Sequence, residues 1–191
     1  MTWELPVRVE VGGVTYPIRS DYRAILDILT ALADPDLNGQ ERAAVALEIF
    51  YPDFASLPPA CCEEAVQACC RFINGGAEER QEQPSPRLVD WEQDYSLIIA
   101  PVNRVLGQEI RSVAYLHWWT FLAAYYEIGE CAFAQVVRIR DRRARGKALD
   151  KTDQEFYRRN RALVDLKTKY TQQEDAVLSQ WIRAPGGEAR A

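Results

Sequence analysis

Hydrophobic and polar positions alternate from residue 5 to 18. Val7, Val9 and Val11 point one way, Gly12-Gly13 supplies a two-residue turn, and Val14, Tyr16 and Ile18 return on the same face. This predicts an N-terminal β-hairpin. From Ser20 onward the period changes to helical. Ser20 is placed to cap a helix beginning near Asp21, whose apolar positions Tyr22, Ile25, Leu26, Ile28, Leu29 and Leu32 recur until Pro35 stops it. A second helix is predicted from about Gly39 to Phe50, before Pro52. A third runs from Pro58-Pro59 to Phe72, with Asn74-Gly75-Gly76 as its stop.

Residues 75–87 are polar, rich in Gly and Pro, and carry no side chain suited to a core, so they read as a linker. Asp90 opens a fourth helix that meets Pro101, where a missing N–H and a ring clash predict a break before Leu106-Gly107. Between Arg111 and Ile128, Val113, Leu116, Trp118, Trp119, Phe121, Leu122, Tyr125 and Tyr126 surround the helical wheel with no charge between Arg111 and Glu127. An element apolar on all sides must be buried on most of them, which predicts a central helix. Beyond Gly129 a helix is predicted from Phe133 to Arg145, ending at Gly146. Thr152 with Glu155 then forms a capping-box pattern for a last helix to about Ile182. The expected fold is mainly α: a multi-helix bundle with a small N-terminal β-hairpin. Its expected divisions are 1–74, a linker at 75–87, a helical subregion at 88–183 and a flexible tail at 184–191.

The 191 residues bound this to one domain or two small ones sharing a core, and 48% hydrophobic with 27% charged residues suits a globular chain. Its start has neither a basic segment nor a 7-residue apolar run, and the uncharged stretch 112–126 is 15 residues, short of the roughly 20 that span a membrane. A protein with no membrane partner is therefore expected. The formal charge of −5 is uneven: 7 basic and 15 acidic residues through Asp90, 16 and 13 after it. Five cysteines, as Cys61-Cys62, Cys69-Cys70 and Cys131, do not form a disulfide framework and read as reduced thiols.

Motifs for chemistry are few. Asp34-Pro35-Asp36-Leu37-Asn38-Gly39 begins like a calcium-binding loop, but the twelfth position, which needs a carboxylate, is Val45, and the eighth is Glu41. It reads as an inter-helix turn. Cys61, Cys62, Cys69 and Cys70 fall on one predicted helix. A rise of about 1.5 Å per residue separates positions eight apart by about 12 Å, so one helix cannot wrap one zinc and only a metal shared between chains stays open. His117 is the single histidine, and it sits in the uncharged stretch, where it reads as a core or boundary residue. Asp90 with Asp94, and Glu127 with Glu130, have helical spacing; they read as caps or solvated faces, with acid–base catalysis as the alternative. No phosphate-binding glycine loop, nucleophile elbow or zinc-protease motif occurs, and no cofactor or enzymatic activity is expected.

Between residues 138 and 147, Arg138, Arg140, Arg142, Arg143, Arg145 and Lys147 face one acid, Asp141. Arg138, Arg142 and Arg145 share one helical face at i, i+4 and i+7. That stripe is the candidate partner-binding site, for an acidic protein surface or for nucleic acid. The alternatives are neutralisation of the acidic N-terminal half and a solvated face.

Four segments together, Asp90-Trp91-Glu92-Gln93-Asp94, Ile98-Ile99-Ala100, Leu116-His117-Trp118-Trp119-Thr120-Phe121-Leu122 and Val137-Arg138-Ile139-Arg140, give the chain its resemblance. Continuing through Gln154-Glu155-Phe156-Tyr157 and Ala162-Leu163-Val164-Asp165-Leu166, it resembles the phage gene-product-fifteen family of tail-gene clusters in phages and prophages of Gram-positive bacteria. The resemblance implies a tail assembly chaperone in the bacterial host cytoplasm, keeping the long apolar tape measure protein soluble until tail-tube protein polymerises around it. Other tail proteins and a second copy of the chain are further expected partners. It transfers no catalytic residue. Trp118, Trp119 and Phe121 read as core rather than as a partner groove. The alternative functions are a structural component retained in the tail and, third, a nucleic-acid-binding protein using the basic stripe.

Overall fold

A computed structural model describes residues 4–77 and 86–167. It is mainly α, with a two-stranded antiparallel hairpin at the N-terminus. Strands β1 (Arg8–Val11) and β2 (Val14–Pro17) pair Val9 with Tyr16 and Val11 with Val14. Gly12 and Gly13 have φ of 58° and 74°, the left-handed pair that a two-residue turn between twisted strands requires. The hairpin is amphipathic: Val11 and Ile18 are buried and Val9 and Tyr16 half-buried, whereas Arg8, Glu10, Thr15 and Pro17 face out.

Helix α1 (Tyr22–Leu32) buries Tyr22, Ile25, Ile28, Leu29 and Leu32. It packs along α2 (Gly39–Phe50) and meets α4 (Trp91–Leu106) and α5 (Trp118–Tyr126), while α3 (Cys62–Ile73) lies against α2 and β1. Each such large side chain, taken fully out of water, contributes about 1.5–3 kcal/mol. One cluster of buried side chains runs from Val11 to Phe133, so residues before and after the 75–87 segment share a core. Trp118 and Trp119 lie across that boundary and donate from their indole nitrogens to the carbonyls of Ile73 and Phe72, each at 2.8 Å. A second, small cluster of Val136, Ile139 and Val164 joins α6 (Ala132–Ala144) to α7 (Lys151–Arg159) and α8 (Arg161–Val164). No helix among the described residues is long and apolar enough to cross a membrane.

Five local expectations are corrected. The cap of α1 is Asp21, whose carboxylate accepts the Arg23 amide at 2.9 Å; Ser20 instead meets the Tyr115 hydroxyl at 2.7 Å. The central helix is shorter than its periodicity suggested, because Asp21 and His117 form an antiparallel bridge. That bridge holds the chain before Trp118 extended through Tyr22 N–H to Leu116 O at 2.9 Å and Trp118 N–H to Ser20 O at 2.7 Å. Such long-range pairing leaves no trace in the spacing of apolar residues. Helix α4 passes through Pro101 unbroken. Only the Leu97 carbonyl loses its donor there, and the buried neighbours Ile98, Ile99 and Val102 fasten the helix on both sides of the proline. At α7 the cap is Asp150 rather than Thr152, with its carboxylate accepting the Asp153 amide at 2.8 Å. That helix ends at Arg159, where the side-chain amide of Asn160 donates to the Phe156 carbonyl at 2.9 Å. The rest of the predicted last helix, from residue 168, the tail at 184–191 and linker positions 78–85 lie outside the described residues.

Candidate interaction surface

Helix α6 starts at Cys131, whose Sγ accepts the Ala134 amide at 3.5 Å. Phe133, Val136 and Ile139 form its buried face, and Arg140 falls on that same face at i+7 from Phe133. A guanidinium cannot lie there unpaired without a cost of several kcal/mol, and its partners are complete. Arg140 forms a two-pronged ion pair with Asp94 of α4 at 2.5 and 2.9 Å. It also donates to the carbonyls of Leu88 at 2.8 Å, Leu163 at 2.8 Å and Val164 at 2.7 Å. The Asp94 side chain is 0% exposed, and its second task is to accept the Asp90 amide at 2.9 Å. Gln93 extends the clamp by donating to Asp165 O at 3.0 Å and accepting Lys167 N–H at 3.0 Å. This junction holds α4, α6 and the segment 163–167 together.

The arginines of the stripe are divided. Arg138 bonds the Asp153 carboxylate at 2.9 Å and approaches Glu130 at 3.6 Å. Arg142 approaches Asp150 at 3.7 Å, whereas Arg145, just beyond the end of α6, folds back to pair with Asp141 of that helix at 2.5 Å. Arg143, outside the predicted stripe, pairs with Asp165 at 2.5 Å and stacks over the Tyr157 ring, 4.3 Å from its centroid. All of these acids come from the C-terminal half of the chain. Hydrogen bonding to Arg138 holds the Asp153 carboxyl below the usual carboxylate range. For Asp165, burial acts upward, but bonds from Arg143 and Tyr157 outweigh it and the carboxyl is lowered.

The other candidate residues have structural tasks. Asn38, in the calcium-like sequence, caps α2 by accepting from Gln40 and Glu41 while the Glu41 carboxylate takes the Asn38 amide at 2.8 Å. Arg42 closes that turn from inside through two bonds to the Asp34 carbonyl, at 3.1 and 2.7 Å. His117 is not inside a helix but at its start: Nδ1 accepts the Trp119 amide at 3.0 Å, and Nε2 lies 2.9 Å from the Pro6 carbonyl. Because an amide donates to Nδ1, the ring proton must be on Nε2, where it donates to Pro6. Asp90 caps α4; Glu127 ends α5, and Glu130 is exposed near Arg138. Cys69 and Cys70 are buried, Cys61 and Cys62 half-buried, and all are free thiols. Burial pushes the Cys69 thiol up. Trp118 and Phe121 lie in the core, with Trp119 partly buried against it.

Sequence spacing marks neither Arg140 nor Gln93 as an organising residue, and it shows Asp94 only as half of a carboxylate pair. The signal existed: an arginine in register with Phe133 and Val136 is on the apolar face, and a buried arginine requires a carboxylate. A family model described as Bacteriophage Gp15 protein matches residues 1–166. No curated protein and no solved structure matched the chain.

Proposed function

Because the chain belongs to the Bacteriophage Gp15 protein family, we propose that this phage protein is a tail assembly factor, a non-enzymatic chaperone for the tape measure protein. Family membership carries this reading. The task needs no catalytic group; it needs a helical scaffold with a surface that takes an amphipathic helix and releases it. The α6 stripe supports it: Arg138, Arg142 and Arg145 keep 44%, 37% and 49% of their side chains exposed, on and just beyond a helix whose other face buries Phe133, Val136 and Ile139. Partly exposed arginines discriminate and steer a charged partner more than they tighten it, which suits a grip that must later yield to tail-tube protein. The work is done in the host cytoplasm, before the tail closes.

Co-expression with the adjacent tape measure protein, followed by size-exclusion of the soluble fraction, tests this. The expected result is soluble tape measure protein that co-elutes with this chain and is lost without it. Unchanged solubility and separate elution would overturn the chaperone reading, and detection of the chain in purified virions would then favour a structural tail component.

A further inference from the structure

Helix α7 is attached in an unusual way. Its one buried residue is Asp153, an aspartate, where a packed surface helix normally buries an apolar stripe. The Asp153 side chain is 0% exposed, held by Arg138 at 2.9 Å and by Gln135 Nε2 at 3.3 Å, both on α6. Asp150 approaches Arg142 at 3.7 Å, and Tyr157 lies beneath Arg143. The apolar contribution is confined to Leu149, Phe156 and Tyr157, all partly buried against the three-residue cluster of Val136, Ile139 and Val164. Both ends of α7 have joints: Gly146, with φ of 65°, precedes it, and Asn160 follows it. Beyond Asn160 the chain is fastened again by Arg140 on the carbonyls of Leu163 and Val164. The segment 147–162 is therefore an arc pinned at both ends and held along its length by charge.

We propose that α7 is a removable cover on the arginine face of α6, occupying the place of a helix from a partner protein that presents two carboxylates one turn apart. The cover itself defines what that partner must offer: a carboxylate seated between Arg138 and Gln135, a second one turn away toward Arg142, and an aromatic ring under Arg143. The arginine ends of these contacts reach solvent, with Arg138 44% and Arg142 37% exposed and Asp150 57% exposed, so salt has access to the face even though the Asp153 carboxylate itself is buried. The cover deepens the proposed partner surface, and it rests on that reading of the α6 arginines. Its test uses a peptide of the chain itself, so failure of tape measure binding and failure of the cover are read separately.

The probe is a fluorescent peptide with the sequence of residues 147–162, titrated against the full-length chain. D153N, which removes the seated charge, is expected to bind it about tenfold more tightly than the native protein, because the face is vacated, and R138E added to D153N is expected to abolish binding. A charge-reversed pair, Arg138→Glu with Asp153→Arg, should restore the closed cover and with it the weak binding of the native chain. Hydrogen exchange supplies a check independent of any variant: amides of α7 should exchange faster than those of α4, and faster still in high salt. Equal peptide binding by native protein and D153N, or α7 amides as protected as those of α4 at every salt concentration, would overturn the cover. So would a D153N protein that binds duplex DNA and ignores the peptide, since the face would then belong to nucleic acid.

Discussion

At the scale of single residues, the Asp94–Arg140 pair is the most consequential contact outside the apolar core. Its members are 46 positions apart, and its geometry satisfies the guanidinium on two sides from a carboxylate and on the others from three carbonyls. Removing one partner strands the other charge in a buried site, so Asp94→Ala should cost about 3–5 kcal/mol, read as a lower urea midpoint. Tyr22 offers an alkaline prediction. Burial, reinforced by Tyr95, pushes its hydroxyl up to about 12. A folded value above the unfolded one means a contribution fully present below about pH 10 and lost as pH rises toward 12. Tyrosinate absorbance should therefore show Tyr22 ionising together with unfolding, and Tyr22→Phe should blunt that alkaline transition. Of these residues, the sequence marked Tyr22 as core by its place in a helical stripe. The Asp94–Arg140 pair was legible only in halves, because local spacing says which face a residue occupies and not which distant residue meets it.

At the scale of elements, helices bounded by local signals were readable. Helix α2 has the bounds its sequence suggests, and α6 differs by one residue at each end, because Asn38, Gly39, Gly129 and Gly146 act within a turn of themselves. The start of α5 was unreadable, since the extended stretch before it is imposed by pairing with Ser20 and Tyr22. Its end-on support from α3 is testable. At Gly76, with φ of 82°, a Cβ would be 3.0 Å from the Trp119 ring. Gly76→Ala should thus cost about 1–2 kcal/mol for the left-handed backbone alone and alter tryptophan emission as the ring moves. Helix α7 belongs to the same scale. With the Asp153 carboxyl lowered by Arg138, its contribution is present above the ordinary carboxylate range and is lost as pH falls through the lower folded value. Acid should release α7 before it melts α1 or α4, seen as early loss of amide protection confined to residues 151–159.

At the scale of the whole molecule, the partition that composition suggests is one of charge, while the core is shared: Phe72 and Ile73 on one side of residues 75–87 receive the indoles of Trp118 and Trp119 from the other. Unfolding of the two sides should be coupled, with tryptophan fluorescence and far-ultraviolet circular dichroism giving coincident transitions in urea; two separated transitions would contradict a common core. The mainly helical class, the hairpin and the family resemblance were legible from pattern. The way charge assembles the C-terminal region was not, because the arginines there read as a surface stripe until their carboxylates are placed in space. The hairpin is seated by one ring as well as by its valines. His117 takes an amide proton on Nδ1 and gives its own to Pro6 from Nε2, so the two nitrogens are chemically unlike. In a nitrogen-15 spectrum this single histidine should show one pyridine-like and one pyrrole-like resonance, widely separated, and their convergence would report the moment at which the first strand leaves the body of the protein.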